Sequence, residues 1–289
     1  MTRGWDLPPL REGHAADAGL AERRARAAGT APADSRAVET EIGGTRCLTI
    51  EPVDGAAQGD ILYIHGGGYR LGSPVAYIGY AQELAEASGR RIVLPFYPLS
   101  PEHPFPAAIG AIAALYRALP DPSSTVVAGD SAGGGLTAAL CILGARAGQR
   151  PAGAIIVSPM LDLTAQGESL ERNAARDPMF SRASVLDSAA LYLQGHDPAD
   201  PLVSAINADP ADFPPLLVLT GGAEVLLDEA LDFVRAMALA DRRVSLHVAP
   251  GMGHVWPLLA PGTPAAQEAV GAMAAFVRNL KPAETGPSM

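Results

Sequence analysis

Short apolar runs and longer helix-like stretches alternate along most of the chain. Each run has four or five residues and is nearly continuous in apolar and β-branched side chains. Such runs are typical of parallel strands that are covered on both faces. The pattern predicts strands at Ile61–Ile64, Ile92–Phe96, Thr125–Ala128, Ala154–Val157, Leu216–Thr220 and Val244–Val248. Helices are predicted between and after them, among others at Ala76–Ala87, Ala107–Leu119, Ala132–Ala147, Leu227–Leu239 and Pro264–Leu280.

A hairpin precedes this series. The segments 37–42 and 47–50 flank the pair Gly43-Gly44, and adjacent glycines supply the positive φ values of a tight two-residue turn. An antiparallel hairpin that leads into repeated βαβ units predicts an α/β fold with a mostly parallel, doubly wound sheet. No linker divides the chain, so we expect a single domain over residues 1–289.

One connection is much longer than the others. Between Pro159 and Pro215 the chain leaves the sheet for about fifty residues, far beyond the usual loop length. Its amphipathic segment Ala183–Leu193 indicates an inserted helical cap. Residues 1–35 are polar and rich in alanine and arginine, with a helical patch at Ala15–Ala28.

Composition excludes several classes of protein. Hydrophobic residues make up 48% of the 289 residues and charged residues 18%, which excludes a disordered chain. The net charge of −10 and the lack of a basic stripe argue against nucleic acid as a partner. Cys47 and Cys141 match neither a disulfide framework nor a metal site. With no signal peptide and no apolar run of membrane-spanning length, we expect a cytoplasmic protein without a membrane partner.

The segment Gly129–Gly133 fits the nucleophile-elbow pattern G-x-S-x-G. The pattern alone is weak, but here a predicted strand precedes it and a predicted helix follows it, as the motif requires. The following helix points its N-terminus at the reacting centre, where negative charge develops. Ser131 is therefore the candidate nucleophile.

A glycine run, His65-Gly66-Gly67-Gly68-Tyr69, follows the first strand of the series. Successive glycines expose backbone N–H groups, which an oxyanion hole needs. The spacing of Gly66, Gly68 and Gly72 also suggests a dinucleotide loop, but that interpretation requires an acidic residue at the end of the next strand. The next strand ends Leu94-Pro95-Phe96-Tyr97, without an acid.

A serine nucleophile needs a base and an orienting acid. Among the six histidines, His254 directly follows the last strand, at the sheet edge where Ser131 lies. Glu224 and Asp228 both follow the strand that should carry the acid. Asp228 begins a helix, where capping explains it, so Glu224 is preferred. The order Ser131, Glu224, His254 is that of an α/β hydrolase.

Together these motifs resemble the hormone-sensitive-lipase-like family of bacterial α/β-hydrolase esterases. The resemblance rests on five blocks in the family's order: HGGGY at 65–69, SPEHPFPA at 100–107, GDSAGG at 129–134, SPMLDLT at 158–164 and GMGH at 251–254. It implies an α/β-hydrolase fold, with an oxyanion hole formed by the N–H groups of Gly67, Gly68 and Ala132. It also implies that residues 1–35 and 160–210 form a cap over the acyl pocket.

Two departures from the family pattern stand out. The family commonly has Asp-Tyr-Arg where this chain has Phe96-Tyr97-Pro98, so a charged pair near the sheet is missing. The family's Asp-Pro-Leu acid motif appears as Glu224-Val225-Leu226, and aligning the leucines places Glu224 at the acid's position.

The expected activity is hydrolysis of short- to medium-chain carboxylic esters through an acyl-enzyme, with no metal or cofactor. Amide or lactone hydrolysis by the same residues, and a non-catalytic ligand receptor of the same fold, are the alternatives. Val244–Val248 would leave an unpaired sheet edge, which allows a homodimer. Candidate contacts to a small-molecule ester, each of which ordinary packing could also explain, are Met160, Leu161, Phe180, Leu186, Tyr192 and Trp256.

Overall fold

A computed structural model describes residues 5–55 and 57–280 of the chain. Within these residues, eight strands form a single sheet. They are β1 (Val38–Ile42), β2 (Thr45–Ile50), β3 (Asp60–Ile64), β4 (Arg91–Pro95), β5 (Val126–Asp130), β6 (Gly153–Val157), β7 (Leu216–Gly221) and β8 (Val244–Ala249). All six strands predicted for the parallel series are present, with ends that differ by one or two residues.

The strand order is β1-β2-β4-β3-β5-β6-β7-β8. Strands β3 to β8 run parallel to one another, whereas β2 pairs antiparallel with both β1 and β4. The predicted hairpin is confirmed, because Gly43 and Gly44 turn the chain with φ values of 58° and 78°. At the other side of the sheet β8 is the edge strand, and Leu246 and Val248 on it are partly exposed.

Nine α-helices surround or cover this sheet in the described residues. They are α1 (Ala18–Ala27), α2 (Ile78–Ser88), α3 (Ala107–Ala118), α4 (Ala132–Arg146), α5 (Ser169–Arg172), α6 (Arg182–Leu193), α7 (Leu227–Leu239), α8 (Trp256–Leu259) and α9 (Pro264–Arg278). None of the described helices is both long and apolar enough to cross a membrane.

Two apolar layers bury the two faces of the sheet. On one face α3, α4 and α7 pack against inward side chains such as Leu62 and Val127, and on the other α2 and α9 pack against Tyr63 and Ala128. Helix α4 is buried along most of its length, from Ala132 to Gly144. Its first turn lies so close to β3 that a Cβ on Gly133 would collide with the carbonyl oxygen of Ile64. This contact places the start of α4 against the end of β3, where the glycine run begins.

The long connection from β6 to β7 contains α5 and α6, and the predicted helix 183–193 is confirmed in α6. Helices α1 and α6 are both tied to loops at the carboxyl edge of the sheet. Arg24 of α1 donates to the carboxylate of Glu102 at 2.6 Å, and the backbone N–H of Phe105 donates to the carbonyl of Tyr192 in α6 at 2.8 Å. Of the predicted domain and its cap, residues 1–4, 56 and 281–289 lie outside the described residues.

The residues at the position of the missing charged pair make other contacts. Where the family commonly has an aspartate, the ring of Phe96 lies under the guanidinium of Arg46, 4.1 Å from Cζ to the ring centroid. A cation over an aromatic face is an attractive contact. The neighbouring Tyr97 donates its hydroxyl proton to the carbonyl of His65 at 2.8 Å and so supports the glycine run.

Candidate active site

Ser131 stands at a sharp turn between β5 and α4. Its backbone has φ 53° and ψ −122°, a conformation that side-chain-bearing residues rarely adopt and that is held here by the flanking strand and helix. The N–H of Ser131 donates to the carbonyl of Val157 on β6 at 2.9 Å, which fixes the turn to the sheet. The local sequence thus presents the serine side chain at the carboxyl edge.

A continuous chain of hydrogen bonds joins Ser131, His254 and Glu224. The Nε2 atom of His254 lies 2.9 Å from Oγ of Ser131, and its Nδ1 atom lies 3.1 Å from Oε2 of Glu224. All three side chains are at most 2% exposed. With the proton on Nδ1 facing the carboxylate, Nε2 is free to accept the proton of Ser131.

Other groups hold Glu224 in place. Oε1 of Glu224 accepts from the hydroxyl of Ser158 at 2.7 Å and from the N–H of Gly221. The hydroxyl oxygen of Ser158 accepts from the N–H of Val255 at 3.0 Å, so its own proton is directed to the carboxylate. Asn173 donates to the carbonyl of Glu224 at 2.7 Å. Neither Ser158 nor Asn173 was predicted as a site residue, although Ser158 opens one of the family blocks.

Asp228 lies in the first turn of α7, and its bonds lead away from His254. Its carboxylate accepts from the N–H of Ser169 at 2.7 Å and forms an ion pair with Arg172. It therefore fastens α5 to α7, and its partners are the first and last residues of α5 rather than N–H groups of its own helix.

The glycine run packs against the elbow. Oδ1 of Asp130 accepts from the N–H of Gly66 at 3.2 Å, and Oδ2 accepts from the hydroxyl of Tyr77 at 3.0 Å. Gly67 has φ 119°, and a Cβ there would collide with the carbonyl oxygen of Leu71. Among the described residues, the N–H groups of Gly67 and Gly68 donate to no other group. The loop can therefore offer both donors to a ligand at Ser131.

Burial shifts two titratable groups beside this loop. It raises the pKa of Asp130 to about 6, although the bond from Tyr77 opposes the shift. It lowers the pKa of His65 to about 4, so that this imidazole is neutral at pH 7. His65 stacks on Tyr97 at 4.3 Å between ring centroids, and its Nδ1 lies 2.8 Å from the carbonyl oxygen of Gly66. His65 thus supports the loop rather than facing Ser131.

A cavity of about 460 Å³ opens above Ser131. The glycine run and His254 form its floor, and residues of α1 and α6 line its sides. An apolar part of the wall consists of Met179, Phe180, Leu258 and Leu259. The ring of Phe180 meets that of His254 edge to face, with 4.5 Å between centroids.

Of the six side chains predicted to contact substrate, Phe180 lines this cavity and the other five do not. Met160 and Leu161 are fully buried in the core, and the N–H of Met160 donates to the carbonyl of Ser131 at 3.0 Å. Tyr192 is buried in a stack on Tyr69, with 3.9 Å between ring centroids.

Leu186 and Trp256 lie outside the cavity for different reasons. Leu186 is 45% exposed, because α6 packs through its other faces. Trp256 follows Val255, whose left-handed backbone (φ 51°) begins α8 and turns the indole into the core below the sheet edge. Its Nε1 donates to the carbonyl of Ala265 at 3.3 Å. Within residues 5–55 and 57–280, no cluster of three or more His, Cys, Asp or Glu side chains could hold a metal ion.

The sheet order and this site define the class of the chain as an α/β hydrolase. A family model described as "alpha/beta hydrolase fold" matches residues 61–258. The chain is 38% identical to an acetyl-hydrolase of Streptomyces hygroscopicus over 223 residues, which cover 75% of each chain. It is 34% identical to an esterase of Acinetobacter venetianus over 226 residues, which cover 76% of this chain and 75% of that one.

Among solved structures, an esterase from the bacterial hormone-sensitive lipase family is similar with a TM-score of 0.82. It is 36% identical in sequence, and the match covers 86% of each chain. The chain belongs to the hormone-sensitive-lipase-like family of α/β hydrolases.

Proposed function

We propose that this chain is a serine carboxylesterase that hydrolyses esters of short- to medium-chain acyl groups. The observation that carries the proposal is the buried hydrogen-bond chain from Ser131 through His254 to Glu224 at the floor of an open cavity. The names of the relatives, acetyl-hydrolase and esterase, support acyl transfer to water.

In the first half of the reaction, Oγ of Ser131 attacks the acyl carbon while Nε2 of His254 takes the hydroxyl proton. Glu224 keeps the imidazole in the required tautomer and stabilises the imidazolium. The developing oxyanion accepts hydrogen bonds from Gly67, Gly68 and Ala132, each of which lowers the barrier by about 3 kcal/mol.

The tetrahedral intermediate then collapses. The C–O bond to the alcohol breaks, and His254 delivers its proton to the leaving oxygen, which leaves an acyl group on Ser131. Water repeats the sequence with His254 as base and releases the carboxylic acid. A cavity of about 460 Å³ with an apolar wall suits a short or medium acyl chain better than a long one.

The test is a series of 4-nitrophenyl esters from acetate to decanoate, with 4-nitroacetanilide as the matched amide. We expect the highest kcat/KM at or below the octanoate ester and a much lower value for the anilide. Ser131→Ala should lose nearly all turnover, whereas Ser123→Ala, at an exposed serine, serves as the control that keeps it. Turnover that survives in Ser131→Ala, or an anilide hydrolysed as fast as the acetate ester, would contradict the proposal.

A further inference from the structure

Two arginines line the cavity beside the glycine run. Arg70 follows the run directly and is 6% exposed, and Arg23 lies on α1 and is exposed. Nε of Arg70 is 3.8 Å from the point where a Cβ on Gly68 would stand. The guanidinium of Arg70 is therefore close to one of the donors proposed for the oxyanion hole.

The hydrogen-bonding capacity of Arg70 is only partly used. Nη1 forms an ion pair with Asp187 of α6, whose side chain is 58% exposed. Neither Nε nor Nη2 of Arg70 donates to any other group in the described part of the chain. Arg70 lines this cavity, and its Nε atom is the one that approaches Gly68. An almost buried guanidinium with one free edge is suited to bind an acceptor that enters the cavity.

The charges around the cavity favour an anion. Among the residues described, Arg23 forms no ion pair, and the lining includes a single carboxyl group, that of Asp130. That carboxyl group is held by Gly66 and Tyr77. The lining thus includes two guanidinium groups, of which that of Arg70 is paired with Asp187 and that of Arg23 has no ion-pair partner in the described residues. The charge of Arg23 and the free edge of Arg70 together favour an anionic ligand.

We propose that Arg70, assisted by Arg23, forms an anion subsite, and that the preferred substrates are esters that carry a carboxylate as a second group. The edge formed by Nε and Nη2 matches the two oxygens of a carboxylate. The inference rests on the proposed ester hydrolysis and adds the substrate class. Asp187, bound at Nη1, offsets part of the positive charge of the same guanidinium.

The experiment compares matched pairs of esters, one neutral and one anionic. For the acyl side the pair is 4-nitrophenyl valerate and 4-nitrophenyl hemiglutarate, and for the alcohol side it is methyl 4-acetoxybenzoate and 4-acetoxybenzoate. The quantity measured is the ratio of kcat/KM for the anionic ester to that for the neutral ester. The pair whose ratio responds to the variants shows on which side of the ester the carboxylate sits.

Arg70→Gln should lower this ratio by roughly tenfold to a hundredfold, since it removes a charge-assisted hydrogen bond. Asp187→Asn should raise it, because the carboxylate that offsets the charge of Arg70 is gone. Arg23→Gln should lower it by a smaller factor, whereas Arg26→Gln, three positions along α1 at an exposed site outside the cavity, is the control. Added NaCl should lower the ratio of the unmodified chain through screening.

A purely positional role for the Arg70–Asp187 pair makes a different prediction. In that case Arg70→Gln and Asp187→Asn would each change kcat/KM for the two esters of a pair by the same factor and in the same direction. The ratio would then stay constant, which would overturn the inference. Should Arg70→Gln fail to fold, Asp187→Asn and Arg23→Gln still move the ratio in opposite directions. If neither ester is hydrolysed by the unmodified chain, the proposed function itself fails.

Discussion

Replacing Glu224 with glutamine exchanges one carboxylate oxygen for an NH₂ group. It should nearly abolish the proposed reaction, because it changes which ring nitrogen of His254 carries the proton. Two donors converge on Oε1 of Glu224, the hydroxyl of Ser158 and the N–H of Gly221. The carbonyl oxygen of the new amide will therefore occupy that position, and its NH₂ group will face Nδ1 of His254. Nδ1 must then accept, so the imidazole proton moves to Nε2, which can no longer take the proton of Ser131.

We expect Glu224→Gln to lower kcat by about 10⁴-fold, the size of effect that a wrong tautomer produces in such triads. The thermal midpoint should change little, because the hydrogen bonds to Ser158 and Gly221 survive. The assay is kcat for 4-nitrophenyl acetate alongside thermal unfolding of the same preparation.

Asp228→Asn is the matched control, since this residue bonds to Ser169 and Arg172 and not to His254. It should keep most of kcat and lose about 1 kcal/mol of stability. Near-normal kcat in Glu224→Gln would refute a role for Glu224 in setting the tautomer of His254. A collapse of kcat in Asp228→Asn instead would assign the orienting acid to Asp228.

Two further predictions concern Asp130 and the apolar wall. Because the pKa of Asp130 is raised to about 6 in the folded chain, its ionisation lowers the free energy of unfolding as the pH rises from about 4 through 6. The stability of Asp130→Asn relative to the unmodified chain should therefore increase by up to about 3 kcal/mol between pH 4 and pH 7, measured by urea unfolding. A difference that does not depend on pH would contradict this prediction. Phe180→Ala should shift the preference among nitrophenyl esters towards longer acyl chains, because it enlarges the cavity beside His254. Leu186→Ala, outside the cavity, is the control and should leave the preference unchanged. The same chain-length profile in Phe180→Ala and the unmodified chain would show that Phe180 does not contact the substrate.

The site residues predicted best from the sequence are those whose place is set by adjacent residues in the chain or by the edge at which parallel strands end. Ser131 could be identified because strand, turn and helix are contiguous around it. Glu224 and His254 could be placed because parallel strands end at one edge. The hydrogen bonds observed between them agree with that expectation, while their catalytic role is part of the proposal.

The lining of the cavity was predicted poorly, for a physical reason. Helix α6 has apolar side chains on more than one face, so its sequence does not show that Tyr192 packs inward on Tyr69 while Leu186 faces solvent. The direction of Trp256 depends on the left-handed backbone of Val255, which no pattern in the sequence indicates. Arg70 was missed because its place beside the cavity depends on the loop and on the partner, Asp187, that α6 supplies.

The nucleophile is tested most directly by covalent labelling with a 4-nitrophenyl alkylphosphonate, which traps a serine nucleophile in a form that resembles the tetrahedral intermediate. We expect one phosphonyl group per chain, located on Ser131 by peptide mass spectrometry, with hydrolysis of 4-nitrophenyl butyrate lost in proportion to labelling. Ser131→Ala should remain unlabelled. Labelling at another residue, or full labelling of Ser131 with turnover intact, would contradict the claim that Ser131 is the nucleophile.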